Sequence, residues 1–469
     1  MDLAGLTASE QKTQLDAGRA SCRELLADCR TRAEMTEPVV NAIPTVHWDA
    51  AEDLASHLDD DPTLMAGAPL RGLVTAFKDL ANTAGVRTTY GSPPYANHVP
   101  DADSPLVAGI KATGMVPIGK TNTPELGSGS QTYNAVLGTT RNPWDPTRTP
   151  GGSSGGASAA LACGSVSLAD GSDLGGSLRN PASFCGVVGF RPSKGEFPHE
   201  PDRGDASMST AGPMGRTVGD VLLFHDALTG CTDPVPHLTA PRVAYSRDLG
   251  GLPVHSEVRR VIDEAVRALA DAGWRVDEVE PELSDADASF DDLRGLSYWG
   301  SWSHLLNNET VKEDVQHELR HGRALSSDDI QRALDDESRV QKRWEDFLSG
   351  ADGGSWYDLL VAPVSQVPPF AVGLSSVPEI DGVALPHYKD WMRSCCRITV
   401  TGAPAISVPA GFTAGGLPVG LQMVGRRSHD RTLLGHALTA EEVFGTAAAP
   451  DIGALATTDP ATLPPGPLG

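Results

Sequence analysis

The sequence predicts an α/β protein: a single large three-layer α/β/α domain around a mixed, mostly parallel central sheet. Three observations carry this prediction. Short apolar runs of strand length alternate with amphipathic helical stretches, the rhythm of βαβ units. The hydrophobic fraction of 40%, with 50 glycines and 36 prolines scattered along the chain, suits a globular protein with many turns. Two glycine-serine clusters are joined by an alanine-rich stretch, Ala157 to Leu168, which ties both into one folded unit.

Taken in order, Gln11 to Met35 and Ala50 to Leu58 read as amphipathic helices, and residues 1–60 as a helical layer packed on the core. Leu73-Val74-Thr75-Ala76-Phe77 is a short apolar strand ending at Lys78-Asp79. A helix around Leu106 to Thr113 feeds the strand Met115 to Ile118, and the pattern returns in Val258 to Ala272 with Arg275 to Val279, and in Leu359-Leu360-Val361. Within the main domain, 61–446, the segment 283–346 is helical, charged and aromatic, and resembles a cap. A proline-rich loop follows from Pro363 to Pro386. The tail, 447–469, is alanine, proline and glycine with little to bury, and is expected to be disordered.

Composition excludes several classes of function. A formal charge of -24 argues against nucleic acid as a primary ligand, because phosphate neutralisation needs basic patches. The seven cysteines are odd in number and form no CxxC pair, so neither a disulfide framework nor a zinc site is indicated and a reducing compartment is expected. Met1 to Ala20 lacks an apolar signal region and no stretch reaches membrane-span length; the expectation is a cytoplasmic protein without a membrane partner.

The chemistry is concentrated in Gly151-Gly152-Ser153-Ser154-Gly155-Gly156 and Gly171-Ser172-Asp173-Leu174-Gly175-Gly176-Ser177. Runs of glycine let backbone N–H groups converge on one point, which is how an oxyanion is held. Ser177 ends such a run, beside donors expected from Leu174, Gly175, Gly176 and its own N–H, and is therefore the candidate nucleophile. Two other pattern matches fail on context. Gly114 to Thr121 fits GxxxxGK[ST], but Pro124 falls in the helix that a phosphate loop must open, and Met115 to Ile118 is itself a strand. Gly151 to Gly155 fits the GxSxG elbow, but Pro143, Pro146 and Pro150 exclude a central strand before it, and no histidine stands in a recognisable triad setting. A linker is excluded by the apolar continuation Phe184 to Phe190. Lys78 alone would be a solvated surface lysine; its weight comes from the residues around it.

Lys78-Asp79, Gly119-Lys120-Thr121-Asn122, Pro150 to Gly156, Gly171 to Pro181, Gly212 to Val218, Gly402 to Pro409 and Gly416 to Gly420 follow the order and spacing of the amidase signature family. The sequence resembles that family from about Leu6 to Val443. The resemblance implies hydrolysis of a carboxylic amide to acid plus ammonia or amine through a serine acyl-enzyme. Its catalytic residues fall on Lys78, on Ser153 in a cis peptide, and on Ser177. It implies a buried, neutral Lys78 whose pKa has fallen from about 10.4, with Asp79 turned away, and it calls for no metal or organic cofactor. Asp173 and Arg179 are expected to hold the loop in shape. Ala157, where many members have serine, Leu174, where threonine or isoleucine is frequent, and His429-Asp430, near a common glutamate, depart from the pattern without removing a catalytic group.

The alternative is a glutaminase (A-type) subunit of an aminoacyl-tRNA amidotransferase, which shares fold and triad. Such subunits typically carry Asp-Gln-Ile before the shared Gly-Pro; Ser209-Thr210-Ala211 stands there instead, before Gly212-Pro213, and favours a stand-alone hydrolase. Substrate contacts are expected from Gly127, Ser128, Tyr133, Trp299, Trp302 and Phe370. Together with Tyr298, these aromatics suggest an uncharged acyl group with an aromatic or medium aliphatic body. The expected partner is a small-molecule amide; the oligomeric state, a homodimer included, is left open.

Overall fold

The computed structural model describes residues 1–197, 208–235, 240–445 and 448–468. Its centre is an eight-stranded mixed sheet in the order Arg275–Glu278, Arg242–Tyr245, Leu359–Pro363, Pro418–Val424, Ala405–Phe412, Val188–Arg191, Thr210–Gly215, Ala169–Asp173. The first three strands run parallel, and Arg242–Tyr245 reaches Arg275–Glu278 through the helix Ser256–Asp271, the βαβ unit expected from the sequence. The remaining ladders are antiparallel. Parallel pairing is therefore less extensive than the βαβ rhythm suggests, because connections as short as Thr413 to Leu417 close antiparallel pairs without a crossover helix.

A second, three-stranded sheet orders Thr45–Val46, Val116–Thr121 and Val74–Lys78, the last two parallel and joined by the helix Pro105–Ala112. Its strand Val74–Lys78 ends against Ala169–Asp173, where the Lys78 N–H donates to Asp170 Oδ1 at 3.1 Å. The Gly114 to Thr121 pattern is strand through Thr121, not a phosphate loop. Lys120 is buried there, donating to the Ala81 carbonyl and to Thr83 Oγ1.

Helix Gly155–Cys163 is buried along its whole length. Only residues as small as its Gly-Gly-Ala-Ser-Ala-Ala can lie so close to neighbouring backbone: a Cβ at Gly156 would stand 2.3 Å from the Asn122 nitrogen and 2.7 Å from the Ala42 carbonyl oxygen. Helices Val218–Thr229, Ser256–Asp271 and Asp430–Phe444 pack with one core region; Ala286–Trp302 and Ser327–Ser349 contribute to another.

Two expectations need correction. Gln11 to Met35 is two helices, Ala8–Asp16 and Cys22–Val40, each opened by its own capping box, at Thr7 and at Ser21. The tail is not without structure across its described part, 448–468: Asp451 caps a helix Ile452–Thr457, whose Ile452 and Leu455 are buried in the core cluster that includes Leu25 and Cys29. Two apolar side chains at helical spacing suffice to dock it. Among the described residues, no helix is long and apolar enough to cross a membrane.

Gly156→Ala should therefore destabilise the fold by about 1–3 kcal/mol, the range for overpacking a rigid contact, read as a lowered midpoint in urea unfolding with an unchanged slope.

Candidate active site

Lys78 is the last residue of its strand and is 1% exposed. Its Nζ lies 2.8 Å from Ser153 Oγ, 2.9 Å from Ser154 Oγ and 3.0 Å from Ser172 Oγ. These partners are hydroxyls, and no carboxylate forms an ion pair with it among the described residues. Burial pushes the amine down from 10.5 to about 7, against the weaker opposing pull of Asp170 and Asp173. Asp79, next in sequence, turns its carboxylate to the Thr89 N–H and hydroxyl.

Ser153 follows a cis Gly152–Ser153 peptide. The loop is held by Thr132, whose hydroxyl donates to the Gly151 carbonyl at 2.7 Å, and it docks on the second cluster through the Ser154 N–H to the Ser177 carbonyl, 3.2 Å. Ser177 and Ser153 line the same cavity of about 340 Å³.

The loop carrying Ser177 is organised by Asp173. Its Oδ1 accepts the Gly176 N–H at 2.8 Å and its Oδ2 the Leu178 N–H at 3.2 Å. Arg179 donates through Nε and Nη2 to the same carboxylate at 3.0 and 2.9 Å, then reaches Gln422 Oε1 at 2.6 Å and Thr399 Oγ1 at 2.9 Å. Arg191 donates to the Asp173 carbonyl and to the Met208 carbonyl. Burial alone would raise the Asp173 carboxyl, but Arg179 and Arg191 beside it hold it well below the usual carboxylate range. The Gly176 position needs glycine: its φ is +104°, and a Cβ there would stand 2.5 Å from Asn180 Nδ2 and from Cys395 Cβ.

This corrects one sequence expectation. The Gly176 N–H, one of the four expected oxyanion donors, is engaged by Asp173 Oδ1 within the loop. The missing signal is the reach of the Asp173 side chain, which extends three residues ahead along its own loop.

Of the expected substrate contacts, Gly127 and Trp302 line the cavity; the others do not. Ser128 is buried behind it, with its carbonyl taken by Lys312 Nζ. Tyr133 lies under the Lys312 ammonium, 5.1 Å from the ring centre. Trp299 backs onto Gly322, and Phe370 packs with Phe184 and Trp391. The residues that sequence reasoning missed are Ser154 and Ser172 around Lys78, Tyr90 across the cavity, and Arg294, Ser297 and Ser301. The last three, with Tyr298 and Trp302, recur at i, i+3, i+4, i+7 and i+8 on one face of helix Ala286–Trp302, a spacing visible in the sequence.

The amidase family model matches residues 24–434. The chain is 32% identical to an acylamidase of Rhodococcus erythropolis, over 94% of this chain and 96% of that one. It is 31% identical to the A subunit of the glutamyl-tRNA(Gln) amidotransferase of Roseiflexus sp. (strain RS-1), over 92% and 94%. Among solved structures, an amidase superposes with a TM-score of 0.85 at 28% identity, covering 94% of this chain and 100% of that one. The fold of 6-aminohexanoate cyclic dimer hydrolase agrees with a TM-score of 0.83 at 24% identity, covering 96% and 100%.

Removing the Asp173 carboxylate would leave two buried arginines without their counter-charge. Asp173→Ala should lose about 3–5 kcal/mol of stability, measured by urea unfolding; a loss under about 1 kcal/mol would mean that water or another acid replaces it.

Proposed function

The chain belongs to the amidase family, and from that premise we propose that it hydrolyses small, uncharged carboxylic amides unaided, through an acyl-enzyme on Ser177. The observation that carries this reading is the buried Lys78 amine, surrounded by three serine hydroxyls with no paired carboxylate among the described residues, and with its pKa pushed down to about 7. Such an amine is a base near neutral pH, and a base within reach is what a serine nucleophile lacks.

In this reading neutral Lys78 takes the proton of Ser153 as Ser153 takes that of Ser177. Ser177 Oγ then attacks the amide carbon. The N–H groups of Leu174, Gly175 and Ser177 receive the oxyanion, each donor contributing on the order of 10²-fold or more in rate. As the C–N bond breaks, Ser153 returns a proton to the leaving nitrogen and Lys78 restores that of Ser153. Water repeats the sequence on the ester, releasing the acid and regenerating Ser177.

The similarity to the A-type components of amidotransferases supports a second reading, a glutaminase that works only within a larger assembly. Ser209-Thr210-Ala211 before Gly212-Pro213 and the net charge of -24 favour the stand-alone enzyme. A cytoplasmic setting belongs to the same reading, since Cys22, Cys29, Cys163, Cys185, Cys231, Cys395 and Cys396 are all free thiols.

Purified protein without ATP, tRNA or another chain should release ammonia from simple neutral amides, and a fluorophosphonate should label Ser177. Inertness on every such amide, with glutamine hydrolysis appearing only when partner chains are added, would favour the second reading.

The rate should follow Lys78. Below pH 7 the amine is protonated and cannot accept, so log kcat/KM should climb with unit slope and level off above about 7. Lys78→Ala should lose about 10²- to 10⁴-fold. The same depressed pKa links to stability. Between about 7 and 10.5 the unfolded chain holds a proton on this lysine that the folded chain does not, so this group makes stability rise with pH across that window. Lys78→Met should abolish that rise in urea titrations run at successive pH values.

A further inference from the structure

The cavity wall opposite the catalytic loops is a helix face with one cation, Arg294, set deep in it. Arg294 is 3% exposed. It stands one turn, about 6 Å along the axis, from Phe290, whose ring lies directly against the oxyanion loop at Gly175. Of the helix residues lining the cavity, it is therefore the one nearest that loop along the helix.

Its guanidinium is held by one ion pair, in which Nε makes no hydrogen bond, and by two hydrogen bonds that both leave Nη2. Nε lies 3.2 Å from Glu318 Oε1; Nη2 meets Tyr388 Oη at 3.2 Å and Tyr298 Oη at 3.4 Å; the group sits over the Tyr298 ring, 4.8 Å from its centre. Nη1 has no hydrogen-bond partner among the described residues. The surrounding charges balance. Glu318 also pairs with Lys389, Lys389 with Asp291, Asp291 with Arg393, and Arg393 with Asp390, so Arg294, Lys389 and Arg393 face Glu318, Asp291 and Asp390.

We propose that Arg294 is a specificity-determining residue, donating through Nη1 to an uncharged acceptor oxygen (ketone, ether or hydroxyl) on the acyl body of the substrate. The inference rests on the amide-hydrolase reading above. A guanidinium fixed by its ion pair with Glu318, by two tyrosine hydroxyls on Nη2 and by the Tyr298 ring presents Nη1 in a fixed direction, and a site built to give a hydrogen bond rejects the analogue that cannot accept it. Because the ion set is already balanced, a carboxylate entering this cavity loses its hydration without a spare cation among the described residues to replace it. Tyr90 and Trp302 supply apolar area for the rest of the acyl group.

The test compares kcat/KM for 4-oxo-4-phenylbutanamide, 4-phenylbutanamide and glutaramate, which present a ketone, no acceptor and a carboxylate. The wild type should prefer the ketone at least about tenfold over either. In Arg294→Lys, which keeps a charge opposite Glu318 but loses the fork, and in Arg294→Met, the ketone preference over 4-phenylbutanamide should shrink to within about twofold. Being a ratio within each variant, it does not depend on how much protein folds. An unchanged ratio in both variants, or a wild-type preference for glutaramate that disappears in Arg294→Met, overturns the proposal. If the wild type hydrolyses none of the three, it is the amide-hydrolase reading that fails. Calorimetric binding of the two phenyl amides to Ser177→Ala and to Ser177→Ala with Arg294→Lys then decides the role of Arg294: tighter ketone binding only with Arg294 present supports it, and equal binding in both overturns it.

Discussion

A lysine taken out of water, with no counter-ion among the described residues, is the constraint around which this site is arranged. Desolvation disfavours the ammonium, and a single carboxylate at contact distance would restore it. Three acids stand close by in sequence or space, and each is occupied elsewhere. Asp79 is turned to Thr89; Asp170 accepts the backbone N–H of Lys78 itself; Asp173 is claimed by Arg179 and Arg191. The two arginines thus have a second effect beyond pinning the nucleophile loop. By neutralising Asp173 they keep its charge from raising the lysine further, so the network that shapes the loop also helps hold the Lys78 amine below its ordinary pKa.

The arrangement depends on close backbone packing. Helix Gly155–Cys163 can be wholly buried because its side chains are small, and its N-terminus brings Ser153 and Ser154 to the end of strand Val74–Lys78. A similar economy of volume sets the far wall of the cavity: a Cβ at Gly322 would lie 2.0 Å from the Gly295 carbonyl oxygen, so helix Glu313–Ala324 presses directly on Ala286–Trp302. That contact carries Glu318 to Arg294. Larger residues at either glycine would separate the helices and with them the ion pair.

How much of this is legible in the sequence depends on whether the signal is local. Strands Val74–Lys78 and Val116–Thr121 are short apolar runs with helical segments between them, and they read directly from the sequence. The glycine-serine clusters stand out because few folds need so much backbone freedom in two places. The burial of Lys78 has no local signal and follows only from the family resemblance. Long-range facts are harder: the docking of Ile452 and Leu455 depends on a groove formed more than 400 residues earlier in the chain. The pocket aromatics are separated by angle. At about 100° per residue, Trp299 stands roughly 140° around the helix from Arg294, whereas Trp302 falls within its face; choosing by residue type alone selects both. Ser297 and Ser301, which look like a solvated helix surface, escape the same choice for the same reason.

The division of labour that results has a physical consequence. In the proposed reading, the residues that move protons lie on the strand end Val74–Lys78 and on the two glycine loops, held by Asp173 and Thr132. Those that line the far wall of the cavity lie on a helix face that touches these loops at Phe290, against Gly175. Substitutions at Ser297, Ser301 or Trp302 change cavity shape and polarity at a distance from Lys78, whereas Arg294 is tied into a set of buried charges, and exchanging it alone leaves Glu318 with Lys389 and Tyr388 as its partners. The outer half of the cavity is thus free to vary with the substrate, and the inner half is bound by electrostatics to a narrow choice. In the proposed reading, a change in the charge of the acyl group accepted is compensated at Glu318, Lys389 or Asp291, the partners of Arg294 and of one another, not at Ser177.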